Sequence, residues 1–258
     1  MQTFTFLGTG TSAGIPMLGC SCGVCISANP KNHRFRCGVL LRLAGGNLLI
    51  DTPPELRLQL LRAATPAIHA VLLTHYHADH IHGLDDLRPI PFLIGEPVPL
   101  YCSSETEVRL RSSFSYAFGP GSETVRQGFV PKLSVRRIDD APFEALGETI
   151  TPIPLEHAHF NVYGFRVRNV AYCTDVKSIP RSSWRLLEDL DVLVLGCLRR
   201  KPHPGHLSLD EALEVVDRLQ PRQTYLTHIS HDLDHEDLCR ELPPEVRPAF
   251  DGLTFEIS

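Results

Sequence analysis

His75-Tyr76-His77-Ala78-Asp79-His80 follows the short apolar run Ala70-Val71-Leu72-Leu73 and places four potential metal ligands within six residues. Imidazole nitrogens and carboxylate oxygens are ligands for divalent transition metals, and a turn brings alternate side chains to one point. The spacing can place His75 and His77 on one ion and Asp79 and His80 on a neighbour. A chance histidine-rich surface loop is the competing reading, but the chain's own His and Asp frequencies make this pattern rare. The apolar run reads as a buried strand. The ligands are therefore expected on a loop at a strand's C-terminal edge, where a rigid sheet holds them.

Four ligands do not complete two coordination shells, so more are expected where other strands end. His157 comes after Thr151-Pro152-Ile153-Pro154-Leu155, and Asp175 after Val170-Ala171-Tyr172-Cys173-Thr174. His228 follows Thr224-Tyr225-Leu226-Thr227, and Leu226-Thr227-His228 matches Leu73-Thr74-His75. That match fits two equivalent strand ends meeting at one site.

A second candidate site is Cys20, Cys22 and Cys25, three of the eight cysteines, in C-x-C-x-x-C spacing. In a reducing compartment such a cluster reads as a metal site rather than as disulfides. A tetrahedral zinc needs a fourth ligand, and none lies nearby in sequence. The scattered Cys37, Cys102, Cys173, Cys197 and Cys239 read as small buried apolar residues.

Outward from these clusters, strands are expected at Phe4–Leu7, Gly38–Leu43, Asn47–Ile50, Leu133–Arg137, Thr149–Pro154, Tyr163–Val167, Val170–Cys173, Val192–Leu195 and Thr224–Leu226. A Gly/Ser/Thr-rich loop, residues 8–14, follows the first of them. Glu55–Arg62 reads as a helix. A second helix opens at Ser208, which can cap it with Glu211 three residues on. Residues 104–131 read as a helix followed by a loop punctuated by glycine and proline. Strands followed by helices in both halves suggest two packed sheets with helices outside, in one domain spanning residues 1–258. The 258 residues carry 43% hydrophobic and 21% charged residues, which is ordinary for a globular protein. The net charge of -5 argues against a large nucleic-acid footprint. No apolar stretch is long enough to cross a bilayer, and the first residues lack a signal peptide's basic start, so the cytoplasm is expected. The sequence leaves a homodimer open.

Thr74-His75-Tyr76-His77-Ala78-Asp79-His80, the downstream His157, Asp175 and His228, and Gly8-Thr9-Gly10 after the first strand resemble the metallo-β-lactamase superfamily. Gly19-Cys20-Ser21-Cys22-Gly23-Val24-Cys25 and Leu226-Thr227-His228-Ile229-Ser230-His231 narrow the resemblance to the PhnP family, phosphodiesterases of phosphoribosyl cyclic phosphate in phosphonate degradation. The resemblance implies an αββα sandwich of two mixed sheets flanked by helices. It implies that His75, His77 and His157 hold one metal, that Asp79, His80 and His228 hold another, and that Asp175 bridges them. Manganese and zinc both suit this ligand set. It also supplies His231 as the fourth ligand of a structural zinc with Cys20, Cys22 and Cys25.

Paired metals lower the pKa of a bridging water and clamp the oxygens of an in-line displacement, which suits hydrolysis of a small phosphodiester. Asp79 and His206 are the candidate catalytic residues. His206, in Pro204-Gly205-His206-Leu207-Ser208, matches a catalytic histidine of those phosphodiesterases and is the candidate general acid or transition-state stabiliser. His82 and His159 flank ligands and are open to a substrate role or to plain exposure. His33, His69, His203 and His235 read as structural. Arg88 either binds an anion or pairs with Asp85. Arg34, Arg36, Arg199, Arg200 and Lys201 are available to a phosphate-bearing substrate. The rival readings are a tRNA 3′-processing nuclease, a lactone or thioester hydrolase on the same fold, and a metal-binding protein without catalysis.

Overall fold

The structure, a computed structural model, describes residues 1–119 and 128–257. Its first sheet contains β1 (Thr3–Gly8), β2 (Gly38–Leu43), β3 (Gly46–Ile50), β4 (Ala70–Leu72), β5 (Val98–Cys102) and β6 (Leu133–Arg137). The second contains β7 (Phe143–Ala145), β8 (Glu148–His157), β9 (Phe160–Val167), β10 (Val170–Cys173), β11 (Val192–Gly196), β12 (Gln223–Thr227) and β13 (Val246–Pro248). The last strand, β14 (Thr254–Glu256), returns to pair with β1, so each sheet has seven strands among the described residues. Both sheets are mixed. Strands β3 to β6 run parallel in one, β10 to β13 run parallel in the other, and the remaining pairs are antiparallel.

Residues of opposite parity serve different layers. In β2, Val39 and Leu41 face the interior between the sheets, with Phe4, Phe6, Phe165 and Tyr172, while Leu40 packs outward with Leu49 and Leu56. In β10, Tyr172 faces that shared core and Cys173 packs outward with Leu209 and Val216. Strands buried on both faces read as continuous apolar runs, which is why these two were legible. The outer layers are α1 (Leu56–Arg62), α2 (Ala78–Ile81), α3 (Ile90–Ile94), α4 (Ser104–Ser113) and α5 (Ser115–Phe118) on one side, and α6 (Leu209–Leu219) and α7 (His235–Glu241) on the other. The result is the expected αββα sandwich.

Ser208 caps α6 in a full capping box: its hydroxyl accepts from Glu211 N–H, and the Glu211 carboxylate accepts from Ser208 N–H. Strand β8 runs past its expected end to His157 despite Pro152 and Pro154. Glu156, of the same parity, donates its N–H away from β9 to Ser178 O, so both prolines set their missing donors on the edge that β7 leaves uncovered. The short strands β5, β7, β13 and β14 and the helices α2, α3 and α7 were not expected. Two of those strands contain a proline, and none of the four exceeds five residues. The expected helix within 104–131 appears as α4 and α5, and residues 120–127 of that stretch lie outside the described residues. Among the described residues no helix is long and apolar enough to cross a membrane.

Candidate metal centre

The candidate ligands lie where the strands end. The loop after β4 carries His75 and Tyr76, and His77 caps α2, whose first turn holds Asp79 and His80. His157 is the last residue of β8, Asp175 lies two residues past β10, and His228 directly follows β12. Asp175 (φ 50°) and His228 (φ 56°) adopt left-handed backbone, as does Asp51 (φ 65°) directly after β3. Asp and His are among the few non-glycine residues that tolerate this region, and such conformations recur at functional sites.

The donor atoms of His75, His77 and His157 lie within 4.8 Å of one another, and so do those of Asp79, His80, Asp175 and His228. The two groups adjoin: the His75 and His80 rings are 4.2 Å apart. Asp175 links the second group, one oxygen 3.1 Å from His80 Nε2 and the other 3.2 Å from His228 Nε2. It also joins His157 and His206 in a further group of donors.

Three of the imidazoles are aimed by a partner on the other nitrogen. His80 Nδ1 lies 2.7 Å from Asp51, which is fully buried. Thr74 donates its hydroxyl to Asp51 and stands 3.0 Å from His75 Nδ1, so His75 donates to Thr74 and Thr74 to Asp51. His157 Nδ1 donates to Gly205 O at 2.6 Å. These bonds leave Nε2 as the free lone pair on all three rings, the tautomer a metal requires. Asp51 escaped the sequence reading. The signal was present, because Leu48-Leu49-Ile50-Asp51 repeats the pattern of an apolar strand followed by a ligand-type residue, as at Asp175.

Buried polar atoms ordinarily find hydrogen-bond partners. Here His75 Nε2 and His228 Nδ1 are buried without one, and His80 Nε2 and His228 Nε2 are buried facing only the carboxylates of Asp79 and Asp175. Burial and the neighbouring His80 hold the His75 pKa well below its usual value, so its ring is neutral. Burial opposes charge on His80, but Asp175, Asp79 and Asp51 outweigh it and push its pKa well above the normal range. Buried anions around these imidazoles call for positive charge, and a divalent ion held there in place of the His80 proton would supply it. The residues present fit a metal centre.

A family model described as the beta-lactamase superfamily domain matches residues 46–229, which include every ligand in this cluster. The chain belongs to the metallo-β-lactamase superfamily. The crystal structure of a new diphosphatase from the PhnP family is 41% identical with a TM-score of 0.93, covering 100% of this chain and 98% of that one. The zinc-bound PqqB of Methylobacterium extorquens, 19% identical with a TM-score of 0.77 over 99% of this chain and 100% of that one, shares the fold. An octanoyltransferase of Porphyromonas gingivalis is 32% identical over 255 residues, 96% of this chain and 50% of its own length. The chain thus spans half the length of that curated relative. Fold, family and ligand groups make it a metallo-β-lactamase-fold hydrolase.

The cysteine motif of this superfamily member also closes on itself. Cys20, Cys22, Cys25 and His231 bring their donor atoms within 4.8 Å of one another. His231 Nδ1 is 3.3 Å from both Cys20 Sγ and Cys22 Sγ. A hydrogen bond from backbone Cys25 and a second from His231 lower the Cys22 pKa to about 6, whereas burial raises Cys25 to about 11. Cys37, Cys102, Cys173 and Cys197 are buried as expected, but Cys239 is exposed: it lies on α7, whose buried residues are His235 and Leu238.

His206 reaches the centre from the loop before α6. Its ring stacks on His228 at 4.7 Å and lies 4.5 Å from His157, with Nδ1 3.9 Å from Asp175. Burial and His228 lower its pKa to about 3, so it is neutral. His203 accepts from Gly205 N–H and so supports the carbonyl that aims His157. His82 and His159 are exposed. Arg88 pairs with Asp85, and Arg34 is buried on Thr9, Ala249 O and His235, out of reach of any substrate. Arg36 pairs with Glu55 and Arg200 with Glu241, while Arg199 donates to the carbonyls of Lys201 and Pro202.

Proposed function

We propose that this hydrolase is a dinuclear phosphodiesterase, acting in the cytoplasm as one domain on a small phosphorylated substrate such as phosphoribosyl 1,2-cyclic phosphate. In this reading His75, His77 and His157 hold one ion, Asp79, His80 and His228 hold the other, and Asp175 reaches both. The observation that carries it is the position of Asp175, whose two oxygens face His80 and His228 while it shares a further donor group with His157 and His206. The 41% identity to a PhnP-family diphosphatase favours phosphorus over carbon as the centre attacked.

Bound in this cluster, two divalent ions, manganese or zinc, would supply Lewis acidity and a water of lowered pKa. The protein's own residues then have three tasks. Asp51, Thr74 and Gly205 hold the imidazoles in the ligating tautomer. Asp79 and Asp175 balance the positive charge. His206, neutral and edging the cluster, donates a hydrogen bond to charge building on the phosphoryl or leaving oxygen. A third ion, a structural zinc, is assigned to Cys20, Cys22, Cys25 and His231.

The test is a hydrolysis panel on manganese- and zinc-loaded protein: bis(p-nitrophenyl) phosphate, ribosyl 1,2-cyclic phosphates, 2′,3′-cyclic nucleotides and a lactone. Phosphodiesters should be turned over, and preference for the lactone would sink the assignment. His206→Ala should lower kcat by about 10²- to 10⁴-fold while metal content per chain stays the same. Unchanged turnover would remove His206 from the chemistry.

A further inference from the structure

His206 stands over the centre without a hydrogen bond to aim its ring. His75, His80 and His157 are each held through Nδ1, whereas His206 Nδ1 is 3.9 Å from Asp175, beyond hydrogen-bond reach. Its ring packs on the imidazoles of His157, His203 and His228. A side chain so placed is aimed by its backbone, and residues 205–209 are tied on both sides. Gly205 O accepts from His157, and Leu207 N–H donates to Val176 O at 2.9 Å, one residue past Asp175. Leu207 O accepts from Leu198 N–H, and Leu209 N–H donates to Arg199 O.

The residue after Val176 adds a tie through its side chain. Lys177 Nζ lies 2.6 Å from Glu211 Oε1, and the other oxygen of that carboxylate accepts Ser208 N–H at 2.7 Å. Lys177 N–H donates to Glu156 O at 2.7 Å, one residue before His157, and Glu156 N–H donates to Ser178 O. Lys177 is therefore fixed by its backbone to the strand that ends in His157, and by its side chain to the helix cap two residues after His206. A cap alone does not need Lys177, because Ser208 and Glu211 close the box between themselves. Lys177 and Glu211 also line an open cavity of about 480 Å³, so on that side charge rather than packing holds them together. A pair this exposed adds little to overall stability. A small misplacement of a catalytic group, by contrast, is read strongly in rate.

We propose that Lys177 is a positioning residue for His206, acting through Glu211 and the Ser208 cap. The loop that carries Asp175 thereby also sets where the His206 imidazole meets the substrate. This rests on the part given to His206 in the phosphodiesterase reading and names the residues that place it. Lys177 itself takes no part in the bond cleavage. Glu211→Gln separates the two jobs of the carboxylate: the amide oxygen can still accept from Ser208 N–H, but the charge that holds Lys177 is gone.

The experiment compares wild type, Lys177→Ala, Lys177→Arg, Glu211→Gln and the double variant Lys177→Ala/Glu211→Gln on bis(p-nitrophenyl) phosphate, with Tm and metal per chain measured on each. Lys177→Ala should lower kcat about five- to ten-fold, with KM and metal content unchanged and Tm within about 3 °C. Glu211→Gln should lose as much, the double variant no more than either single, and Lys177→Arg should recover most of the loss. On a His206→Ala background Lys177→Ala should cost nothing further, because its effect runs through that ring. A kcat within about two-fold of wild type in Lys177→Ala, additive losses in the double variant, or an equal loss without His206 overturns the proposal. Loss of metal in Lys177→Ala overturns it too, since the residue would then hold the ligand loop. Should wild type hydrolyse no phosphodiester, that reading fails instead, and hydrogen exchange of residues 203–209 alone decides whether Lys177 holds this loop. The Leu207 and Ser208 amides should exchange at least about five-fold faster in Lys177→Ala, and equal exchange overturns the proposal.

Discussion

His228 and His231 lie three residues apart after β12 and enter ligand clusters of different construction. The cluster that takes His228 is assembled from the ends of β4, β8, β10 and β12. His75, His80, His157, Asp175 and His228 within it are buried, and Asp51, Thr74 and Gly205 aim three of the imidazoles. The cluster that takes His231 is built mostly from the loop after β1. Cys20, Cys22 and His231 are only half-buried, and their contacts are chiefly with one another. Gly19 and Gly23 flank the cysteines with open space around them. The first cluster is shaped by the sheets before any metal arrives. Backbone bonds fasten the start of the second cluster's loop to Ile229, and turns at Met17–Cys20 and Cys22–Ile26 shape its middle, but the link from the cysteines themselves to His231, more than 200 residues later, would rest on the metal.

That contrast is exposed most severely by removing that link. Cys22→Ser should lower stability by roughly 3–5 kcal/mol, because a zinc that binds only the folded chain adds its binding energy to the fold, and Tm by about 10 °C. Metal at the other cluster and kcat/KM at 25 °C should stay within about three-fold, because the sheets alone hold those ligands. Thermal denaturation and metal analysis on one sample read both quantities. Parallel loss of the His-rich cluster's metals would show that the two clusters form a single unit.

The preformed cluster is broken from its support. Asp51→Asn keeps shape and burial but turns a carboxylate into an amide, which weakens the charge behind His80 and the acceptor for Thr74. Metal affinity should fall by about 10- to 100-fold with little change in Tm. Calorimetric titration of metal-free protein measures this. Equal affinity in the variant would make Asp51 a bystander of the fold.

The two clusters were not equally legible in the sequence. The six residues after β4 announce themselves because ligand types crowd together, and Asp175 and His228 follow because each ends a clear apolar strand. Asp51 ends such a strand too, yet a lone aspartate before Thr52-Pro53-Pro54 reads as a turn residue. The cysteine motif is visible by spacing, but its fourth ligand is far away in sequence, and only the family resemblance named His231. Two-sided burial made β2 and β10 readable, whereas proline in β5 and β13 hid short strands that tertiary pairing supplies. The arginines went furthest astray. Sequence gives their charge, but the pairing that removes Arg36 and Arg200 from consideration comes from Glu55 and Glu241, on neighbouring elements.

The smallest effect concerns the cysteines themselves, and it tests whether their loop is as loosely held as the contrast requires. In metal-free protein at pH 7.5, Cys22 is only half-buried and its pKa is about 6, so most of it is thiolate. Cys25 is buried, with a pKa near 11, so it is almost wholly thiol. The thiolate is the nucleophile, so iodoacetamide should label Cys22 first, at least about ten-fold faster than Cys25. As pH falls through 6 the Cys22 rate should drop, because protonation removes the thiolate, and above pH 7 it should level off. Zinc should protect both residues by occupying their lone pairs, and acid should release that zinc as protons compete for the same sulfur atoms. Mass spectrometry of the labelled peptides gives both rates at once. Equal rates at the two positions would mean that the loop opens fully without its metal, so that Cys25 has no burial of its own, and the contrast with the sheet-held cluster would then be sharper still. Slow labelling at both positions would mean that a frame other than the metal holds the loop, and the contrast would fail.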